Sequence, residues 1–291
     1  MKPMQTPFFQ VDVFARRALA GNGLAVFLDT DGWSDRRMQD LTREMLQMES
    51  IFLSKIDSNG ATARIFTIQG ELPYAGHPAL GAAAVLHRTL APNLDEGRWC
   101  LRLPLRSVYV TTHRSGFALF AEMDQGVPAF GPALSAAEAA PVLEALNLDP
   151  GDLVTNLPLQ RVSTGLPYLI VPVSAEALAR AKVRGGDLES RLGALDARFA
   201  YLLDPDTPEG RTWDNRGEAE DVATGSAAGP VAAYLHRHGR FPASRPATLL
   251  QGRYAGRPSE LGMRFVGDRV LVSGEVWPVI TGTLELAPEV G

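Results

Sequence analysis

Gly76-His77-Pro78-Ala79-Leu80-Gly81-Ala82-Ala83-Ala84-Val85-Leu86-His87-Arg88 is matched, 149 positions on, by Gly225-Ser226-Ala227-Ala228-Gly229-Pro230-Val231-Ala232-Ala233-Tyr234-Leu235-His236-Arg237. Seven of the thirteen positions are identical: Gly76/Gly225, Ala79/Ala228, Ala83/Ala232, Ala84/Ala233, Leu86/Leu235, His87/His236 and Arg88/Arg237. Alanine-rich helices produce chance identities, so the helices alone would be weak support. Upstream, Arg64-Ile65-Phe66 and Gly70-Glu71 find counterparts in Arg211-Thr212-Trp213 and Gly217-Glu218, both at an offset of 147. A duplicated chain explains all three matches, with a two-residue insertion placed between Gly217-Glu218 and the second helix.

The strand pattern follows the same repeat. Phe8 to Phe14 alternates and leads through Gly21-Asn22-Gly23 into Leu24 to Leu28, a hairpin pattern. Gln160 to Gly165 followed by Tyr168 to Val173 is its counterpart. Ser34 is placed to cap a helix over Asp35 to Gln47, and Ser174 to cap one reaching Lys182. Each half then has a strand (Ser50 to Lys55; Ala200 to Leu203), another strand and the alanine-rich helix. A helix apolar on most sides is a buried helix, so the strands of each half are expected to wrap around their own central helix. The Pro/Gly-rich stretch from Gly126 to Pro132 is the expected crossover between halves. The fold class is α+β, with an N-terminal domain over 1–126, completed by a C-terminal strand at about 278–291, and a second domain over 127–277.

Composition narrows the function. At 291 residues the chain exceeds a typical single domain, and its 45% hydrophobic and 21% charged residues are ordinary for a globular protein. A formal net charge of −5 leaves no basic face, which speaks against nucleic acid as a partner. No run of about eighteen apolar residues suits a membrane span. Residues 1–7 lack an apolar signal core, so the expected location is the cytoplasm. The single cysteine, Cys100, rules out an intrachain disulfide and a thiol pair. The histidines do not stand at metal-ligand spacing with a carboxylate, His236-x-His238 apart, so no metal is expected.

Both central helices start with glycine-containing turns, Ala75-Gly76-His77-Pro78 and Ala223-Thr224-Gly225-Ser226. Unpaired N–H groups and a partial positive charge make such starts anion sites, and two of them would grip a small carboxylate from both sides of an interdomain cleft. The plainer reading is that each turn merely caps a helix. Glu49 interrupts an apolar run containing Met45, Leu46, Met48, Ile51, Phe52 and Leu53. A carboxyl in such surroundings has a raised pKa, which suits a group that takes and returns a proton. A solvent-facing glutamate at a helix end is the alternative. His77, at a helix start, is disfavoured as a cation and reads as a neutral hydrogen-bond partner or a cap. Asp221 is placed to orient His77, to hold a substrate hydroxyl or amine, or simply to brace the helix start. Ser226 and Thr224 are common helix-start residues. His87 and His236 recur at helix C-terminal ends and read as structural.

Met48-Glu49-Ser50-Ile51-Phe52, Gly21-Asn22-Gly23-Leu24-Ala25-Val26, Gly76 to Gly81, Glu220 to Ala227 and Gln251 to Ser259 stand in the order seen in the PhzF-like phenazine-biosynthesis family. The chain resembles that family from about residue 7 to residue 285. The resemblance implies a diaminopimelate-epimerase-like fold, two duplicated domains each with a curved, mostly antiparallel sheet around a central helix. It also implies a homodimer and no metal or organic cofactor. By motif, Glu49 matches the family's catalytic glutamate, and His77, Asp221 and Ser226 its other active-site positions. Gly76 and Gly225, with Thr224 beside them, match its helix-start substrate-binding positions. The chain departs from the family at Val222, where proline is usual, and at Gly23, where the family has GNP.

The rivals fail on residue type. Ala82-Ala83 follows Gly81 where a phosphate loop requires Lys and Ser/Thr, and Gly225 to Gly229 is not a nucleophile elbow. Two-base epimerases of the same fold resemble this chain but use a cysteine at each helix start, where it has none. The expected activity is therefore a cofactor-independent isomerisation: Glu49 shifts a proton on a small carboxylate, by allylic shift or tautomerisation. The alternatives are a one-base epimerase or racemase, and a catalytically silent protein that binds a small carboxylate.

Overall fold

A computed structural model describes residues 4–286 of the chain. Two compact units emerge: unit 1 runs to Met123 and resumes at Ser273, and unit 2 is Asp124–Val272. The first carries β1 (Met4–Val13), β2 (Asn22–Phe27), α1 (Asp35–Glu44), β3 (Glu49–Asp57), β4 (Gly60–Thr67) and β5 (Glu71–Leu72). There follow α2 (Gly76–Leu90), β6 (Glu96–Arg102), β7 (Ser107–Ser115) and β8 (Ala118–Gly126). Next come β9 (Ala129–Leu134), α3 (Ala136–Ala145), β10 (Leu159–Ser163), β11 (Pro167–Pro172), α4 (Ala175–Arg180) and α5 (Leu188–Gly193). The chain continues with β12 (Phe199–Asp204), β13 (Glu209–Arg211), α6 (Gly225–Arg237), β14 (Ala247–Gln251), β15 (Ser259–Val266) and β16 (Arg269–Leu286). Of the C-terminal strand expected at about 278–291, the part after Leu286 lies outside the described residues. Among those residues no helix is long and apolar enough to cross a membrane.

Strand pairing repeats from one unit to the other. Unit 1 runs β1-β2-β3-β4-β6-β7-β8, and β16 pairs with both β8 and β1, so the path returns on itself. From β1 to β7 its pairs alternate antiparallel, parallel, antiparallel, parallel, antiparallel. The same alternation runs from β10 through β11, β12, β13 and β14 to β15. Helix α2 is buried from Gly76 to His87 and packs on β1 to β4, β6 and β7. Helix α6, buried at Gly225 and from Ala227 to Leu235, packs on β10, β11 and β15. Small side chains let the strands come this close. A Cβ at Gly81 would sit 2.4 Å from Leu24 Cδ2.

The repeat aligns differently from the sequence match at one place. Phe66 lies opposite Glu71 between β4 and β5, and Trp213 lies opposite Glu220 in the matching bridge. Arg64 grips Glu71 through two bonds of 2.8 and 2.7 Å, and Arg211 grips Glu220 through two of 2.9 and 2.6 Å. The counterpart of Glu71 is thus Glu220, not Glu218. The two extra residues fall within the turn over 214–219, which needs a glycine because Gly217 adopts a φ of +74°. Gly217-Glu218 is a coincidental match.

Two boundaries also move. Helix α1 starts at the Ser34 cap as expected but stops at Glu44, because Leu46 takes a left-handed φ of +52° and ends the helix. The stretch over 126–132 is mostly strand, leaving only Val127-Pro128 between β8 and β9. Helix α3 is not foreseen by the periodicity, although Ser135 and Glu138 form a full capping box at its start.

Candidate active site

Glu49 is the first residue of β3, opposite Leu24 on β2 and Thr67 on β4. It is not at a helix end, since α1 has already stopped five residues earlier. Its apolar surroundings are also not those its neighbours in sequence suggest. Leu46 is 87% exposed and Met48 is exposed too, whereas Ser50 to Leu53 are buried. The Glu49 side chain is only 17% exposed and turns inward toward α2. There its Oε2 lies 3.2 Å from Nδ1 of His77.

His77 is the second residue of α2, after Ala75, which caps the helix without a side-chain bond. Burial pushes its pKa down from 6.5 to about 3, and the positive end of the helix dipole acts in the same direction. The imidazole is therefore neutral at physiological pH. Its Nε2 is buried and has no hydrogen-bond partner among the described residues. This ring carries a pH prediction. A folded pKa below the unfolded value of about 6.5 means the ring's stabilising contribution is complete above that pH and is lost as pH falls toward 3. His77→Gln is expected to flatten the acid limb of the stability profile between those values. Urea midpoints measured across that range check it, and an unchanged slope would contradict it.

In unit 2 the structure brings Asp221, Thr224, Gly225 and Ser226 together at the start of α6. Asp221 Oδ2 accepts the Thr224 hydroxyl at 2.7 Å, and Oδ1 accepts the Ala223 N–H at 3.3 Å. These are the bonds of a brace at a helix start. Thr224 is the N-cap, but its hydroxyl serves Asp221 rather than an N–H of the helix. Ser226 Oγ lies 2.7 Å from the Tyr168 hydroxyl, and the Gly225 carbonyl accepts from Gln125 Nε2 at 2.7 Å. Gln251, Gln125, Tyr168 and Tyr201 are participants that sequence reading does not single out. Only Gln251 left a signal, as the first residue of a C-terminal motif.

The duplication is chemically lopsided. By register the counterpart of Glu49 is Phe199, which starts β12 opposite Tyr168 as Glu49 starts β3 opposite Leu24. The counterpart of His77 is Ser226. One unit alone carries a carboxyl and an imidazole at its helix start. Among the described residues no group of three or more His, Cys, Asp or Glu side chains is arranged to hold a metal. His87 bonds Thr112 and the Leu94 carbonyl, and His236 bonds the Phe241 carbonyl, so both are structural.

Two copies of one α+β unit, each with a buried central helix, define the diaminopimelate-epimerase-like fold. Solved structures agree. A predicted epimerase of Pseudomonas aeruginosa is 48% identical with a TM-score of 0.90, covering 97% of this chain and 99% of that one. A Bacillus anthracis protein of the PhzF family, 20% identical, gives a TM-score of 0.82 over 97% of this chain and 100% of its own. In sequence, the trans-2,3-dihydro-3-hydroxyanthranilate isomerase of Pseudomonas fluorescens is 34% identical over 293 residues, 95% of this chain and 98% of that protein. The family described as phenazine biosynthesis-like protein (PhzC-PhzF) matches residues 11–282. The chain belongs to this family and is an isomerase.

Proposed function

We propose that this isomerase moves a proton on a small carboxylate substrate with Glu49 as its acid/base. The observation that carries the reading is the 3.2 Å approach of Glu49 to His77, a ring held neutral by burial. Ionised Glu49 takes a proton from an acidic carbon, and the electron pair left behind spreads through the conjugated system. The carboxyl so formed returns the proton to another carbon of that system, leaving Glu49 as it began. His77, too weakly basic to compete for the proton, acts as a hydrogen-bond partner. In the tautomer with the proton on Nδ1, which faces Glu49 across 3.2 Å, Nε2 is an acceptor for a substrate hydroxyl or amine. The helix starts at Gly76 and at Gly225-Ser226 supply N–H groups to the substrate carboxylate, the Thr224 N–H being held by Gln251. Asp221 in this reading braces the second of these starts and receives a polar substituent. The proposal includes a homodimer.

The lopsided repeat favours a shift over a two-base epimerisation, because the position equivalent to Glu49 holds a phenylalanine. The test uses trans-2,3-dihydro-3-hydroxyanthranilate, the compound in the relative's name, in heavy water. Deuterium is expected at a carbon of the product or of recovered substrate. A compound that binds and comes back with no carbon-bound deuterium would leave the silent binding protein as the better reading.

A further inference from the structure

The motif from Gln251 to Ser259 has no part in the chemistry above, yet its first residue is buried at the end of β14 with four polar partners. Gln251 Oε1 accepts from the Thr224 N–H at 3.0 Å and from the Tyr201 hydroxyl at 2.9 Å. Its Nε2 donates to the Asp221 carbonyl at 2.6 Å and to Thr224 Oγ1 at 2.9 Å. An N–H can only donate and a carbonyl can only accept, so the amide has a single orientation that satisfies all four. Receiving a proton from Nε2, the Thr224 hydroxyl must send its own to Asp221 Oδ2, 2.7 Å away. Burial, with the Asp221 charge adding to it, pushes the Tyr201 phenol well above its usual range, so it remains a donor. The direction of every proton from Tyr201 to Asp221 is set by one amide.

The repeat contains its own control. Register and spacing place Ile51 where unit 2 has Tyr201, Leu103 where it has Gln251, Leu72 where it has Asp221, and Ala75 where it has Thr224. All four are apolar. Unit 1 thus builds the same strand ladder and a buried helix start with apolar side chains at all four of these positions. The scaffold does not need the network, and burying such a cluster is tolerated only when every member is bonded.

We propose that Gln251 is a positioning residue, holding the Asp221–Ser226 turn and aiming the Thr224 hydroxyl at Asp221 so that the α6 start meets substrate in one arrangement. The proposal rests on the reading of that helix start as part of the active site. Its test compares Gln251→Leu, Gln251→Glu, Thr224→Val and Thr224→Ser by amide hydrogen exchange and by kinetics on trans-2,3-dihydro-3-hydroxyanthranilate.

Loss of a satisfied buried network is expected to speed exchange over 221–228 by about tenfold or more in both Gln251 variants, with 72–80 unchanged. In the same variants kcat, normalised to the folded fraction measured by circular dichroism, is expected to fall about tenfold while KM stays within about threefold; the normalisation removes the effect of unfolded protein, which lowers apparent kcat at unchanged KM. Thr224→Ser keeps the hydroxyl and should keep exchange over 221–228 at the rate of the unaltered protein. Thr224→Val should match Gln251→Leu, and the double variant should be no worse than either alone. Gln251→Glu is nearly isosteric and keeps the comparison available if Gln251→Leu does not fold. Unchanged exchange over 221–228, additive losses, or unchanged kcat beside an inactive Glu49→Gln would overturn the proposal. Full turnover in Glu49→Gln would instead overturn the reading of the site, leaving the exchange result to decide the brace.

Discussion

Glu49→Gln is expected to lower turnover by about 10²- to 10⁴-fold, the range associated with loss of a general acid/base. Glutamine keeps the size of the side chain and a hydrogen-bonding end beside His77, but it cannot accept a proton from carbon. Neither His77 nor the position equivalent to Glu49 in the second unit can take over. His77 has its pKa pushed down to about 3, which makes it a poor base, and the equivalent position in the second unit is Phe199. Substrate affinity is expected to change little, because the helix-start N–H groups are untouched. Steady-state kinetics with deuterium incorporation measured alongside separate the two effects. Turnover at the unaltered rate would remove Glu49 from the mechanism.

The second large effect is on stability, and the duplication supplies the comparison. Arg211 and Glu220 form a bidentate pair with side chains only 9% and 13% exposed. Arg211 also donates to the Leu178, Ala179 and Ala181 carbonyls at the end of α4, and lies 4.6 Å from the Trp213 ring centre and 4.5 Å from that of Tyr254. Glu220→Ala strands this buried guanidinium and is expected to destabilise the protein by about 3–5 kcal/mol, toward the lower end because the carbonyls remain. Arg64 and Glu71 make the same two bonds, but at 28% and 32% exposure, and Arg64 has a second carboxylate partner in Asp35. Glu71→Ala is expected to remove only about 1 kcal/mol. Urea unfolding of the two variants side by side checks this, and equal losses would show that burial does not decide the strength of the pair.

Much of the fold was legible because it is written twice. The alanine-rich helices, the two hairpins and the Ser34 and Ser174 caps appear where the pattern places them, since each depends on residues close in the chain. The Glu71 counterpart was misread for the same reason: Gly217-Glu218 copies Gly70-Glu71 in letters, while the pairing that identifies Glu220 runs across strands. The end of α1 was also misplaced. Leu41, Met45 and Met48 stand near helical spacing, yet a left-handed residue at 46 ends the helix and leaves Met48 exposed.

The site divides along the same line. Residue types and order, with the family resemblance they carry, singled out Glu49, His77 and the two helix starts, and the lack of a cysteine at either start removed thiol chemistry, because a proposed reaction demands particular functional groups and the chain either has them or lacks them. Tertiary structure decided how those groups are placed. It put Glu49 on a strand rather than at a helix end, 3.2 Å from a histidine that burial keeps neutral, and it recruited Gln251 to Asp221 and Thr224 from nearly thirty residues away. Proton affinity and hydrogen-bond direction depend on what surrounds a group in space, and for a duplicated scaffold that surrounding differs between two copies whose local sequences look alike.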